Sequence, residues 1–193
     1  MKKETRLLNV ELRTPENEGD KMIVEGYAIT FNSPATHGYT EVISDRALDN
    51  TDMSDVPLKY NHEDSHLIMA RTRNKSLELK KDEKGLFIKA ELIDTQSNKD
   101  IYKSIKAGLI DKMSFAFTVR EDEYDYDTDT RTITDIDRLY DVSVVDIPFY
   151  DSTSVYARND NDEFLARREE LRKDHEAKKQ LDEAKNKLLA KLG

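Results

Sequence analysis

The sequence contains no cysteine and no tryptophan, and it has only six glycines and four prolines in 193 residues. The absence of cysteine excludes disulfide bonds, a thiol nucleophile and cysteine-ligated metals, and it agrees with a reducing cytoplasm. The glycines are scattered, so no loop of the phosphate-cradling kind is present. No apolar run is long enough for a signal peptide or a membrane span, and we therefore expect a cytoplasmic protein without a membrane partner.

The balance of charge is acidic, with 40 Asp and Glu residues against 31 Lys and Arg residues and a net charge of -9. A nucleic-acid partner requires a basic surface for the phosphates, so this class of partner is not expected. A chain of 193 residues can bury one good core, which predicts one domain with an appendage.

The appendage begins near Asn159, where the composition changes to Lys, Arg, Glu, Ala and Leu. Nine acidic and nine basic residues follow this point, so the net charge of -9 lies on the body of the protein. An apolar stripe at helical spacing predicts a solvated helix. The stripe consists of Ala177, Leu181, Ala184, Leu188 and Leu192. We predict a domain at residues 1–158 and a charged helical tail at 159–193, whose open roles are dimerisation, packing on the body, a scaffold-like arm and a plain solubilising helix.

Alternating apolar residues and turn signals predict many short strands in the body. The predicted strands are 7–12, 22–31, 39–43, 56–60, 67–71, 76–80, 86–92, 111–117, 133–139 and 141–145. Short helices are predicted at 44–50 and 95–107, and the acidic residues 121–130 are placed at a solvent-facing hairpin tip. The fold class is α+β, with a mostly antiparallel, barrel-like body, a few helices and the charged C-terminal helix.

One small hydroxyl, that of Ser114, lies among large apolar residues in the strand 111–117. Side chains alternate along a strand, so Met113, Phe115 and Phe117 share one face while Ser114 shares the other with Ala116. A serine held in this way either fits against its neighbours or serves as a nucleophile that needs a base from elsewhere in the chain.

A base and a carboxylate for Ser114 are present at two other strand ends. His62 follows the strand 56–60, and Asp141 begins the strand 141–145. If the three converge, His62 takes the Ser114 proton as general base and Asp141 fixes the imidazole tautomer. The pattern alone leaves His62 open as a turn residue and Asp141 open as a capping or solvent-facing residue.

Two metal patterns occur, and neither fits its context. Residues 62–66 match H-E-x-x-H, which binds zinc only on a helix, whereas a strand precedes them and turn-forming residues make up most of the segment. The aspartates of 125–129 resemble the start of a calcium loop, but Thr130 and Ile136 occupy the positions that require glycine and a bidentate glutamate. We predict no metal and no cofactor.

Five segments in fixed order resemble the prohead maturation proteases of tailed bacteriophages. They are residues 25–32, 60–63, 92–95, 112–117 and 139–145, with Pro148 after the last. The resemblance spans roughly residues 7–158. It implies a serine endopeptidase distantly similar in fold to the herpesvirus capsid protease assemblin, acting inside the immature capsid to remove scaffold or the capsid protein's N-terminal segment before digesting itself.

The resemblance also implies roles for individual residues. His62 matches the histidine of the family's Asn-His motif, and Ser114 matches the serine of its Met-Ser-Phe motif. Asp141 stands where the family often has glutamate and where assemblin-like enzymes use a second histidine. The alternatives for the third residue are Glu63, Asp64 and His66. The turn at 148–151 is the candidate for the backbone donors of the oxyanion hole.

We therefore expect a phage capsid-maturation serine protease with self-processing. Its expected partners are the major capsid protein or the scaffold protein, and its expected location is the immature capsid in the host bacterial cytoplasm. Assemblin-like relatives dimerise, so a homodimer or a higher oligomer remains open. The alternative is a non-catalytic capsid scaffold or assembly protein with a protease-like body.

Overall fold

The computed structural model describes residues 2–8, 12–15, 21–36, 38–64, 67–146 and 157–192. Most of the body is built of strands. The strands are β1 (Lys3–Leu8), β2 (Leu12–Arg13), β3 (Met22–Thr30), β4 (Ala35–Thr36), β5 (Thr40–Ile43), β6 (Pro57–Tyr60), β7 (Ala70–Arg71), β8 (Leu77–Lys81), β9 (Gly85–Leu92), β10 (Lys112–Asp125) and β11 (Thr130–Val145). The helices are α1 (Gln96–Lys106) and α2 (Ala157–Leu192), and Thr72–Asn74 form a 3₁₀ turn.

The described strands lie in two sheets. The larger sheet has the order β1-β10-β11-β5-β4, with β6 and β7 attached beside the far end of β11, and the smaller sheet has the order β2-β3-β9-β8. The pairings are antiparallel except for two, because β5 and β6 both run parallel to β11. The predicted α+β class and the mostly antiparallel body are confirmed. Within the described residues the sheets do not close into a barrel, so the description as barrel-like holds only loosely.

The central strand β10 shows the predicted alternation. Met113, Phe115 and Phe117 are completely buried on one face, and the two phenylalanine rings stack with centroids 4.9 Å apart. Ser114 and Ala116, on the opposite face, are also buried. A strand that is covered on both faces and paired along both edges holds its backbone rigidly, and this fixes the position of the Ser114 side chain.

The N-terminal prediction was wrong in one respect. The predicted strand 7–12 is divided between the sheets: β1 pairs with β10 in the larger sheet and β2 pairs with β3 in the smaller one. The hairpin expected at the start of the chain is therefore limited to β2 and β3. The residues that join β1 to β2, and most of the predicted loop 14–20, lie outside the described part of the chain.

Other element boundaries also differ from the prediction. The expected helix at 44–50 is a series of turns, in which the Ala47 carbonyl accepts a hydrogen bond from the Ile136 amide at 2.8 Å. The Thr51 hydroxyl donates to the same carbonyl at 3.2 Å, so the two hydrogen bonds that it accepts come from β11 and a side chain and not from a helical amide. The predicted strand 67–71 is reduced to Ala70–Arg71, and the strands predicted at 133–139 and 141–145 form one continuous β11.

A buried ion network, absent from the sequence prediction, joins β1 to the rest of the larger sheet. The Glu41 carboxylate accepts from Arg6 Nε at 2.5 Å and from Arg131 Nη1 at 3.1 Å. Arg131 also contacts Glu4 at 2.8 Å and Asp122 at 2.6 Å. Burial favours the neutral form of Arg6, but Glu41 and Glu4 outweigh that effect and raise its pKa. The network keeps charged residues inside the protein because each has a partner.

We expect Glu41→Gln to lower the free energy of unfolding by about 3 kcal/mol, because loss of one charge leaves two buried guanidinium groups short of a counterion. Denaturant unfolding of both proteins measures the difference. Glu91→Gln is the matched control, since Glu91 pairs with Lys21 in solvent at 3.0 Å. That control should change stability by less than about 1 kcal/mol. Equal effects of the two substitutions would contradict the prediction.

The 36-residue helix α2 packs against the hairpin tip between β10 and β11. Arg168 Nε donates to Asp129 at 3.0 Å and to the Tyr124 hydroxyl at 2.5 Å, and Lys179 pairs with Asp127 at 2.6 Å. Helix α2 thus contacts the acidic tip and partly covers it. Of the helices in the described residues, neither has the length and apolar character needed to cross a membrane.

Candidate active site

The turn that carries His62 is held in an uncommon backbone conformation. Asn61 and His62 have φ angles of 51° and 57°, and the Glu63 amide donates to the Tyr60 carbonyl at 3.0 Å. Asn tolerates positive φ better than most residues, which suits it to this place. Asp146, just after β11, accepts from the Asn61 side-chain amide at 2.9 Å. The turn is thereby fastened to β11, and this fixes where the His62 ring lies.

The register of three strands brings His62, Ser114 and Asp141 to one face of the larger sheet. In the β10–β11 pairing, Ser114 lies opposite Ser143 and Ala116 lies opposite Asp141. On the other side of β11, the parallel strand β6 ends at Tyr60 beside Val144, and the turn that follows carries His62 back over the sheet. Ser114 and Asp141 are therefore on adjacent strands, with His62 above them.

The three side chains form a line of hydrogen bonds. His62 Nε2 lies 2.6 Å from Ser114 Oγ, and His62 Nδ1 lies 2.5 Å from Asp141 Oδ1. The Asp141 side chain is 1% exposed and that of His62 is 18% exposed. A hydroxyl, an imidazole and a buried carboxylate in this order have the geometry by which serine hydrolase sites are recognised on unrelated folds.

Ser114 has a second acceptor, which comes from the edge strand β1. Its Oγ donates to the Arg6 backbone carbonyl at 2.9 Å. A hydroxyl carries one proton, so it donates either to this carbonyl or to His62 Nε2 at any moment. Only the hydrogen bond to His62 prepares proton transfer, and β1 therefore takes part in setting the resting state of Ser114.

Asp141 carries its negative charge in a protein interior that provides counter-charges. Its second oxygen, Oδ2, lies 3.3 Å from Lys3 Nζ and 3.8 Å from Lys59 Nζ. Burial alone would raise the pKa of Asp141, but the hydrogen bond and charge of His62, with the two lysines, lower it below the ordinary value of 3.8. The carboxylate is thus ionised at neutral pH and able to accept from His62.

The lowered pKa of Asp141 predicts a stability contribution that disappears in acid. The folded-state pKa lies below the unfolded value near 3.8, so the contribution is present above that pH and is lost as the pH falls through the folded-state pKa. We expect the difference in unfolding free energy between the wild type and Asp141→Asn to shrink as the pH is lowered from 7 to 3. A difference independent of pH would contradict this assignment of the charged state.

The other predicted candidates do not join this line. Glu63 and Asp64 are exposed, and Asp64 pairs with Lys59 at 2.6 Å rather than with His62. His66 and the turn 148–151 lie outside the described residues. Residues 61–64 form a turn instead of the helix that an H-E-x-x-H zinc site needs, and no cluster of metal-ligating residues occurs in the part of the chain that the structure describes.

Sequence reasoning missed four residues around the site: Lys3, Lys59, Ser143 and Asp146. Ser143 had a visible signal, since a residue two positions after Asp141 on a strand must share its face. Lys59 lies opposite Ser143 in the β6–β11 pairing, but that pairing cannot be read from the sequence. Lys3 belongs to a strand that was not predicted to begin before Leu7.

Known proteins resemble this chain over most of its length. The profile of the caudovirus prohead serine protease family matches residues 9–167. The prohead protease of Enterobacteria phage HK97 is 27% identical over 144 residues, which cover 72% of this chain and 61% of that protein. The chain thus spans about three-fifths of the length of this curated relative. The capsid assembly protease of bacteriophage T4, gp21, superposes with a TM-score of 0.43 at 14% identity, covering 75% of this chain and 99% of that one.

The family match extends over more than three-quarters of the sequence and includes all three residues of the hydrogen-bonded line. This chain belongs to the caudovirus prohead serine protease family. The resemblance inferred from the five ordered segments is thereby confirmed.

Proposed function

We propose that this chain is a serine endopeptidase that cleaves capsid or scaffold protein inside the immature phage capsid and also processes itself. The observation that carries the proposal is the line Ser114–His62–Asp141, with distances of 2.6 Å and 2.5 Å between successive groups. These residues come from three different parts of the chain. They form an unbroken line of hydrogen bonds only because the pairing registers of β6, β10 and β11 place all three on one face of the sheet.

The geometry supports a distinct role for each residue. Ser114 Oγ attacks the carbonyl carbon of the peptide bond while His62 Nε2 takes its proton, and the same nitrogen later gives that proton to the leaving amine. Asp141 accepts from His62 Nδ1 and stabilises the imidazolium that forms. Water then releases the acyl group from Ser114 by the same proton transfers in turn.

The family match and the named relative support the substrates and the setting that we propose. The similar protein of phage HK97 is named a prohead protease, which favours the major capsid protein or the scaffold protein as the partner of this chain. Such a role places the enzyme inside the prohead in the bacterial host. The long helix α2, charged along its described length, is the segment we propose for self-processing, because residues 169–187 are exposed except for the half-buried His175.

A time course of the purified chain tests the proposal. The wild type and Ser114→Ala are incubated alone and with assembled cognate capsid protein, and intact masses are recorded. Discrete fragments from the wild type only support a serine endopeptidase and locate the cleaved bonds. Uncut masses from both proteins, with assembled capsid protein present, would overturn the proposal in favour of a non-catalytic assembly protein.

A further inference from the structure

Ser143 occupies the point where three strands of the site meet. It lies on β11 two residues after Asp141, so both side chains share one face of the sheet. Ser114 is its partner on β10, and Lys59 is its partner on β6. Ser143 is completely buried. Its hydroxyl must therefore find its hydrogen-bond partners within the site.

Those partners are the two residues that activate the nucleophile. Ser143 Oγ donates to Asp141 Oδ1 at 3.1 Å, and it accepts from the backbone amide of His62 at 3.2 Å. The same oxygen is 3.2 Å from His62 Nδ1. A hydroxyl has one proton and two lone pairs, so it satisfies the carboxylate and the amide at the same time.

The consequence concerns the orientation of the Asp141 carboxylate. Its Oδ2 is drawn towards Lys3 and Lys59, whereas its Oδ1 must remain in line with His62 Nδ1. A second donor on Oδ1 opposes rotation of the carboxylate towards the lysines. The hydrogen bond from the His62 backbone amide to Ser143 Oγ holds His62 in place. His62 lies in a turn with a positive φ, which few residues adopt without such support.

The geometry points to Ser143 as a positioning residue that sets the imidazole of His62 and the carboxylate of Asp141 relative to each other. This inference rests on the proposed peptidase function, since it assigns Ser143 a part in the same reaction. Ser143 does not contact the peptide bond, and it acts only through His62 and Asp141.

A purely structural serine at this place would affect stability alone, and the chain offers a matched comparison. Thr118 Oγ1 donates to Asp137 at 3.3 Å between the same two strands, and Thr118 is 1% exposed. It thus makes the same kind of hydroxyl-carboxylate bond without contact to His62 or Asp141. Thr118→Val removes that hydroxyl at nearly constant volume.

The test compares Ser143→Ala, Ser143→Thr and Thr118→Val in steady-state cleavage of a peptide taken from a mapped cleavage site. We expect Ser143→Ala to lower kcat about tenfold to a hundredfold, because the hydrogen bond that positions the charged Asp141 carboxylate for proton transfer is lost. The KM should change less than about twofold, since Ser143 does not bind the substrate. Ser143→Thr should recover most of kcat, and Thr118→Val should leave it unchanged. Where threonine does not fit the buried site, Ser143→Cys keeps the volume with a weaker donor and should fall between serine and alanine.

A second readout does not depend on turnover. The proton between His62 Nδ1 and Asp141 should give a low-field NMR resonance that is absent in Asp141→Asn, and Ser143→Ala should shift or broaden it while Thr118→Val does not. An unchanged resonance and unchanged kcat in Ser143→Ala would overturn the positioning role while the peptidase proposal stands. An inactive wild type with a resonance that still responds to Ser143→Ala would overturn the peptidase proposal alone.

Discussion

Ser114→Ala is expected to lower the rate of peptide-bond cleavage by a factor on the order of 10⁶ while leaving the fold intact. The reason is that, among the hydroxyls of the described residues, only Ser114 Oγ forms a hydrogen bond with His62 Nε2, at 2.6 Å. Loss of the buried Ser114 hydroxyl, with the one hydrogen bond that it donates at any moment, should lower stability by only about 1–2 kcal/mol. The measurement is kcat on the mapped peptide, with circular dichroism and thermal unfolding recorded on the same protein.

Ser76→Ala is the matched control, because its hydroxyl bonds Asn74 at 2.7 Å and the Arg71 amide at 2.9 Å instead of the histidine. It should retain full activity with a similar small loss of stability. Near wild-type activity in a folded Ser114→Ala protein would remove Ser114 as the nucleophile. Loss of activity together with loss of the folded circular dichroism spectrum would indicate that Ser114 is required mainly for folding.

The face that Ser114 occupies was predictable, because it depends only on local geometry. Alternation along a strand assigns Ser114 and Ala116 to one face and Phe115 to the other, whichever strands lie beside them. The turn after Tyr60 was predictable for the same reason, since Asn61 and the residues after it favour turns over strands. Strand periodicity and turn-forming residues thus predicted the correct local structure for Ser114 and for His62.

The convergence of Asp141 with His62 depends on long-range pairing, which local patterns do not encode. Asp141 reaches Ser114 because β11 pairs antiparallel with β10 and places Asp141 opposite Ala116, two residue pairs away from Ser114 and therefore on the same face. His62 reaches both because β6 runs parallel to β11. A shift by one residue in either register would turn a side chain to the opposite face. Residue chemistry allowed the three residues to be grouped as a hypothesis, and the resemblance of the five ordered segments to a protease family supported that grouping.

The wrong start predicted for the first strand has an equally specific cause. Arg6 and Glu4 are charged, and charged residues are usually exposed, so the strand was not predicted to begin before Leu7. In the structure both residues enter the buried network with Glu41 and Arg131, and this pairing is what allows β1 to cover the edge of β10. Burial of a charge depends on a partner that is distant in sequence. Composition alone does not reveal that partner.

Asp141→Asn is expected to lower kcat by about 10⁴ with little change in structure, since the amide fits the same space but not the same role. An asparagine amide can donate to His62 Nδ1, and the neutral ring then carries its proton on Nε2. That nitrogen faces Ser114 Oγ at 2.6 Å and can no longer accept its proton. Cleavage of the mapped peptide, followed by single-turnover kinetics, measures the loss in the chemical step.

The choice of Asp141 as the third residue is decided by comparison with its acidic neighbours. Asp64→Asn is the matched control: the Asp64 side chain is 91% exposed and contacts Lys59, which also faces Asp141. It should change kcat less than about twofold, since an exposed ion pair near a lysine contributes little. Glu63→Gln should behave in the same way. If Asp64→Asn or Glu63→Gln were as damaging as Asp141→Asn, the buried position of Asp141 would not be what orients His62, and the line of hydrogen bonds would not describe the active state.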